Sequence, residues 1–73
     1  MKKELKEVLN KNFENMDLGG WSFKGQNLTG ANFEGANLEG ACFIDALLVD
    51  ASFEGANLKN ADFSCANAWG CQL

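Results

Sequence analysis

Ala31-Asn32-Phe33-Glu34-Gly35-Ala36-Asn37-Leu38-Glu39-Gly40 holds one five-residue unit twice, and that unit governs most of the chain around it. Its third position runs outward in both directions as Phe13, Leu18, Phe23, Leu28, Phe33, Leu38, Phe43, Leu48, Phe53, Leu58, Phe63, Ala68 and Leu73. Only Ala68 interrupts a series that is otherwise Phe or Leu. A period of five suits neither common element. On a helix, positions five apart diverge by about 140°. On a strand, five steps place successive members on opposite faces. The row can share one core only if the chain bends between its members. Each pentad is therefore one short side of a coil, and the chain is a solenoid.

The alternation of Phe with Leu from Phe13 to Phe63 calls for an even number of sides, and four is the expectation. A three-sided coil would stack Phe on Leu, and the alternation would serve nothing. A four-sided coil puts Phe33 beneath Phe53, makes Phe23, Phe43 and Phe63 a second column, and makes Leu18, Leu38 and Leu58 a third. Two positions before each centre stands Ala, eight times in succession from Ala31 to Ala66, a methyl-sized second inward residue. Asn, Asp or Ser usually precedes the centre and Gly often follows it by two, both residue types suited to turns.

These pentads, Ala31-Asn32-Phe33-Glu34-Gly35, Ala36-Asn37-Leu38-Glu39-Gly40 and Ala56-Asn57-Leu58-Lys59-Asn60 among them, resemble the pentapeptide-repeat proteins. Their pattern is Ala-Asn/Asp-Leu/Phe followed by two variable residues, and the resemblance covers about residues 16 to 73. It implies an all-β solenoid, a right-handed quadrilateral β-helix of about three coils. It implies function much less closely, because a fold hosts many functions.

The expected organisation is an N-terminal capping helix over residues 1–13 and a β-helix over 14–73. Leu5, Val8 and Leu9 are spaced for one helix face, which Phe13 would extend. Lys3 with Glu7 and Glu7 with Lys11 stand at i,i+4. Such a helix would cover the exposed end of the first coil. Met16, Trp21 and Gln26, in place of Ala at the first three inward positions, would form a plug beneath it. At the other end the chain reads Cys71-Gln72-Leu73 with no polar cap, so the last coil is expected either to fray or to pair with another copy. Family members dimerise through that end, and a homodimer with Ala68, Trp69 and Leu73 at its interface is the corresponding expectation.

Seventy-three residues are one small domain. No apolar run is long enough to span a bilayer, and the charged opening Met1-Lys2-Lys3-Glu4 is not followed by a signal-peptide core, so a cytoplasmic protein is expected. Cys42, Cys65 and Cys71 show no CxxC spacing, and the chain has no His, so neither a metal site nor a cofactor is expected. No Tyr, Arg or Pro occurs either. Ser22 and Ser52 have no candidate base, the glycines follow the repeat rather than a phosphate-binding spacing, and a narrow tube filled with Phe and Leu leaves little room for an active site. The expectation is a protein that is not an enzyme.

Function then rests on the outer surface. Residues 12–73 carry Glu14, Asp17, Glu34, Glu39, Asp45, Asp50, Glu54 and Asp62 against Lys24 and Lys59. That balance disfavours direct binding of nucleic acid. An acidic face of Glu34, Glu39 and Glu54 suggests an inhibitor that occupies the site of a nucleic-acid-binding protein. The resemblance points the same way, since quinolone-resistance members of the family act on DNA gyrase as DNA mimics. This chain is much shorter than those and lacks an insertion loop between pentads. The alternative is a structural scaffold or docking module that presents an apolar strip of Ile44, Leu47, Val49 and Trp69 to a protein partner.

Overall fold

The computed structural model describes residues 11–73. Parallel bridges join Asn12 to Asn32, Asp17 to Asn37, Ser22 to Cys42 and Asn27 to Leu47, and the same twenty-residue step continues to Ser52 and Gln72. One circuit of the coil is thus four pentads, the expected number and an even one, which keeps Phe over Phe and Leu over Leu. Residues 11–30, 31–50 and 51–70 form three coils. Their four faces are centred on Phe13, Phe33 and Phe53 (face 1), Leu18, Leu38 and Leu58 (face 2), Phe23, Phe43 and Phe63 (face 3), and Leu28, Leu48 and Ala68 (face 4). Leu73 begins face 1 again.

Each corner is a turn closed by a hydrogen bond from the inward residue to the preceding centre, as in Ala36 N to Phe33 O at 3.1 Å and Ala46 N to Phe43 O at 3.0 Å. The third residue of the turn has positive φ and the second does not, which is type II geometry. Glycine fills that third position at Gly20, Gly35, Gly40 and elsewhere, while Asn15, Asp45, Asp50, Asn60 and Cys65 hold it with φ near 60°. Asn and Asp tolerate this conformation because their short side chains bond locally. The residue before each centre secures the turn from outside. Glu34 N donates to Asn32 Oδ1 at 2.9 Å, and Ser64 N donates to Asp62 Oδ1 at 2.9 Å.

Between coils every face repeats one pattern. On face 1, Asn32 N donates to Lys11 O, Phe13 N to Asn32 O and Asn15 N to Glu34 O, at 3.0, 2.7 and 2.8 Å. Face 2 adds a side-chain ladder in which Asn57 Nδ2 donates to Asn37 Oδ1 at 3.2 Å and Asn37 Nδ2 to Asp17 Oδ1 at 3.1 Å.

The core is the row read from the sequence. Phe23, Phe33, Phe43, Leu18, Leu38 and Leu48 are fully buried, with Ala31 to Ala51 filling the corners. Phe33 stacks on Phe53 with ring centroids 4.9 Å apart, and Phe23 on Phe43 at the same distance. That separation equals the spacing of neighbouring strands, about 4.8 Å, so the backbone ladder sets the aromatic stack. Phe33 and Phe43, on opposite columns, meet edge to face at 5.6 Å. Such ring pairs contribute about 0.5–1.5 kcal/mol beyond the area they bury.

The expected capping helix over residues 1–13 lies, for residues 1–10, outside the described residues. Its last positions are not helical. Asn12 bridges to Asn32 and Phe13 is a buried member of the ladder, so the coil begins earlier than residue 14. No helix occurs among the described residues. Of the three residues expected to plug the first coil, Trp21 packs on the core, Gln26 is half-buried, and Met16 is 41% exposed.

Candidate functional site

With the register fixed, every outward residue has a column. Glu14, Glu34 and Glu54 follow the three centres of face 1 and stack one above another, twenty residues apart. Their backbone positions rise at about 4.8 Å per coil, so the column spans about 10 Å. Glu34 also accepts from Ser52 Oγ at 3.5 Å. No lysine precedes or follows a centre on this face. Lys11, at its first corner, turns its ammonium to the Thr29 carbonyl at 3.3 Å. The acidic face expected from the sequence includes Glu34 and Glu54 and omits Glu14, although the same twenty-residue step leads to it.

Glu39 is not part of this column. It lies on face 2, where Lys59 takes the corresponding position one coil later. The aspartates are engaged elsewhere. Asp17 and Asp62 accept from turn amides, and Asp45 and Asp50 hold left-handed corners. Ser64 donates to Asp62 through both its hydroxyl and its amide, which holds the Asp62 carboxyl below its ordinary value. The acidic surplus therefore divides by residue type. Aspartate builds turns, and glutamate at the position after the centre is left to project.

The apolar candidates fall on two faces. Thr29, Val49 and Trp69 form one column of face 4, beside the column of Asn27, Leu47 and Asn67. Ile44 stands one turn earlier, between Lys24 and Ser64 on face 3. Ile44 and Val49 are half-buried, whereas Leu47 is 42% and Trp69 is 76% exposed.

The third feature is the upper end of the tube. A cavity of about 350 Å³ opens there, lined by Phe53, Phe63, Ala66, Ala68, Cys71 and Leu73 among others. Ala68 and Leu73, two of the expected interface residues, contribute to its wall, and Trp69, on face 4, does not. Cys71 takes an inward position, as the sequence register indicated, and its thiol donates to the Leu48 carbonyl at 3.0 Å. Burial pushes that thiol up from its ordinary value, with the nearby Asp50 carboxylate acting in the same direction. Cys65 is exposed and Cys42 half-buried. Among the described residues no group of three or more His, Cys, Asp and Glu side chains could hold a metal ion. Among the described residues no helix is long and apolar enough to cross a membrane.

A sequence model of the family described as Pentapeptide repeats matches residues 12–43 and 41–73, with eight copies of the repeat. Among solved structures, the chain is similar to the pentapeptide repeat protein Rfr23 of the cyanobacterium Cyanothece. The identity is 34% and the TM-score 0.79, over 84% of this chain and 42% of that one. It is also similar to a pentapeptide repeat protein of the Arabidopsis thaliana thylakoid lumen, with 39% identity and a TM-score of 0.67, over 84% of this chain and 46% of that one. The chain thus spans under half the length of these two relatives. No curated protein matches it by sequence. The fold these neighbours imply is the right-handed quadrilateral β-helix, in agreement with the twenty-residue circuit.

Proposed function

We propose, for a chain that belongs to the pentapeptide repeat family, a non-catalytic protein-binding role carried by the glutamate column of face 1. Proteins of this family are generally structural or protein-interaction modules. The observation that carries the reading is the alignment of Glu14, Glu34 and Glu54 on one face, where no lysine flanks a centre. Stacked like charges cost stability. Three in register are tolerated here on a scaffold whose aspartates are tied into turns. The partner that fits is a cationic protein surface that ordinarily receives a polyanion, which makes the chain an acidic inhibitor of a nucleic-acid-binding protein. A column of about 10 Å engages only a few cationic side chains, so the contact is compact.

A second reading is supported by Trp69, which is 76% exposed beside Leu47 and Val49 on face 4. Exposed aromatic and aliphatic side chains in one patch are the usual anchors of docking surfaces. The two readings separate in one experiment, in which a partner retained from the native host is challenged with salt, duplex DNA and variants. On the first reading, retention falls steeply between low and high salt, duplex DNA competes, and joint reversal of Glu14, Glu34 and Glu54 to Lys abolishes binding with the fold intact. Retention that ignores salt and DNA but fails in Leu47→Asp or Trp69→Asp assigns binding to face 4 and overturns the first.

A further inference from the structure

We propose that the outer corner between faces 3 and 4 of the middle coil docks an extended protein segment, one that carries an aliphatic side chain flanked by Lys or Arg. The site lies apart from the glutamate column, and it rests on turn bonds that are missing rather than on Trp69. In nine of the twelve pentads over residues 11–70, a side-chain oxygen before the centre accepts the amide of the residue after it. Ser52 has such an oxygen, and its hydroxyl donates to Glu34 instead. Cys42 and Leu47 have none. The amides of Ile44 and Val49 therefore have no partner among the described residues. The caps they lack are outward side chains, so both donors face outward. Neither position is at an end of the tube. Gly25 N donates to Ile44 O at 2.9 Å and Gly30 N to Val49 O at 2.8 Å from the coil below. Asp45 N and Asp50 N donate to Ser64 O and Trp69 O of the coil above, each at 3.0 Å.

The setting selects the occupant. Two free N–H groups one pentad apart call for two acceptors. An anion in that role is opposed by Asp45 and Asp50, the corner residues that follow Ile44 and Val49. The carbonyls of an extended backbone accept without bringing a charge. Ile44, Leu47 and Val49 offer such a segment contact for an aliphatic side chain, with Leu47 42% exposed. Asp45, Asp50 and Asp62, which bridges to Cys42, outnumber Lys24 beneath Ile44, and cationic flanks complement that surplus. The arrangement also forgoes stability. Directly below Leu47, Asn27 accepts from Thr29 N at 3.2 Å, the bond that Leu47 denies Val49.

Random heptapeptides displayed on phage, panned against the 73-residue chain, are the probe. The expected result is enrichment of an aliphatic centre with Lys or Arg on both sides. Leu47→Asn with Val49→Thr writes the residues of positions 27 and 29 into the coil above. It should weaken retention of the enriched peptides about tenfold, with a melting temperature at or above that of the parent. Joint reversal of Glu14, Glu34 and Glu54 to Lys should leave retention unchanged, and loss there would assign the peptides to face 1 and overturn the proposal. No enrichment, enrichment without cationic flanks, or undiminished retention by the double variant overturns it as well. In the last case, loss in Trp69→Asp leaves the second reading of face 4 standing without this corner. Self-association of the parent in sedimentation that the double variant abolishes would give the corner to a second copy, which also overturns it.

Discussion

The middle and last coils are written in the same pentads, yet they differ in what those pentads achieve. Phe33, Leu38, Phe43 and Leu48 are fully buried, whereas Leu58 and Phe63, the same residue types at the same positions, are only half-buried. Ala36, Ala41 and Ala46 are buried, and Ala56, Ala61 and Ala66 are half-exposed. Local geometry does not differ, since the turn bonds Ala46 N to Phe43 O and Ala66 N to Phe63 O are both 3.0 Å. Burial in this fold is lent by the neighbouring coil, not encoded in the pentad itself. That is the nearest-neighbour behaviour of a solenoid.

The strongest challenge to this contrast is a matched pair of truncations. Phe43→Ala should destabilise by about 3–5 kcal/mol, because it opens a cavity inside a closed column. Phe63→Ala should cost about half of that, since its ring is already part-solvated. Equal losses in denaturant melts would mean that position in the stack does not matter.

Backbone strain gives a smaller, sharper contrast. An added Cβ at Gly35, where φ is 67°, would collide with the Asn15 carboxamide, while one at Gly20, with φ 73°, would meet nothing. Gly20→Ala should cost about 1 kcal/mol from the left-handed backbone alone, and Gly35→Ala about 1 kcal/mol more. Asn15→Ala in the Gly35→Ala background should recover most of the difference.

The cysteines give a chemical contrast between two positions in the last pentads. Reaction with iodoacetamide near neutral pH should modify Cys65 several-fold faster than Cys71. The raised Cys71 thiol is protonated there, and it is part-buried against Leu48. Mass mapping of the first modified residue decides the order. Least affected of all should be Glu39→Ala, within about 0.5 kcal/mol of the parent, because the side chain is exposed and serves no turn.

The ladder was legible in the sequence because inward positions obey one geometric demand, and a strict period of five with a chemical period of ten admits a single register. The outer surface obeyed no such demand. Glu14 was overlooked because its pentad, Lys11-Asn12-Phe13-Glu14-Asn15, lacks the Ala and Gly that mark the others and reads instead as the end of a helix. The division between working aspartates and projecting glutamates needed the turns themselves, since Asp62 and Glu54 look alike as charges until the amide of Ser64 is found on one of them. Ile44 was grouped with Leu47 and Val49 by nearness along the chain, although a corner separates them. The loss of burial in the last coil depends on what lies next to it, which no single pentad records.

Amide hydrogen exchange at Ala46 and Ala66, followed at increasing sub-denaturing concentrations of urea, tests most directly whether neighbouring coils rather than pentads confer burial. The two amides make the same bond to the preceding Phe carbonyl at the same length. Ala46 should exchange only through global unfolding, with an opening free energy that falls linearly with urea, and Ala66 should exchange faster through local fraying that urea hardly alters. Equal protection and equal urea dependence at the two sites would contradict the account.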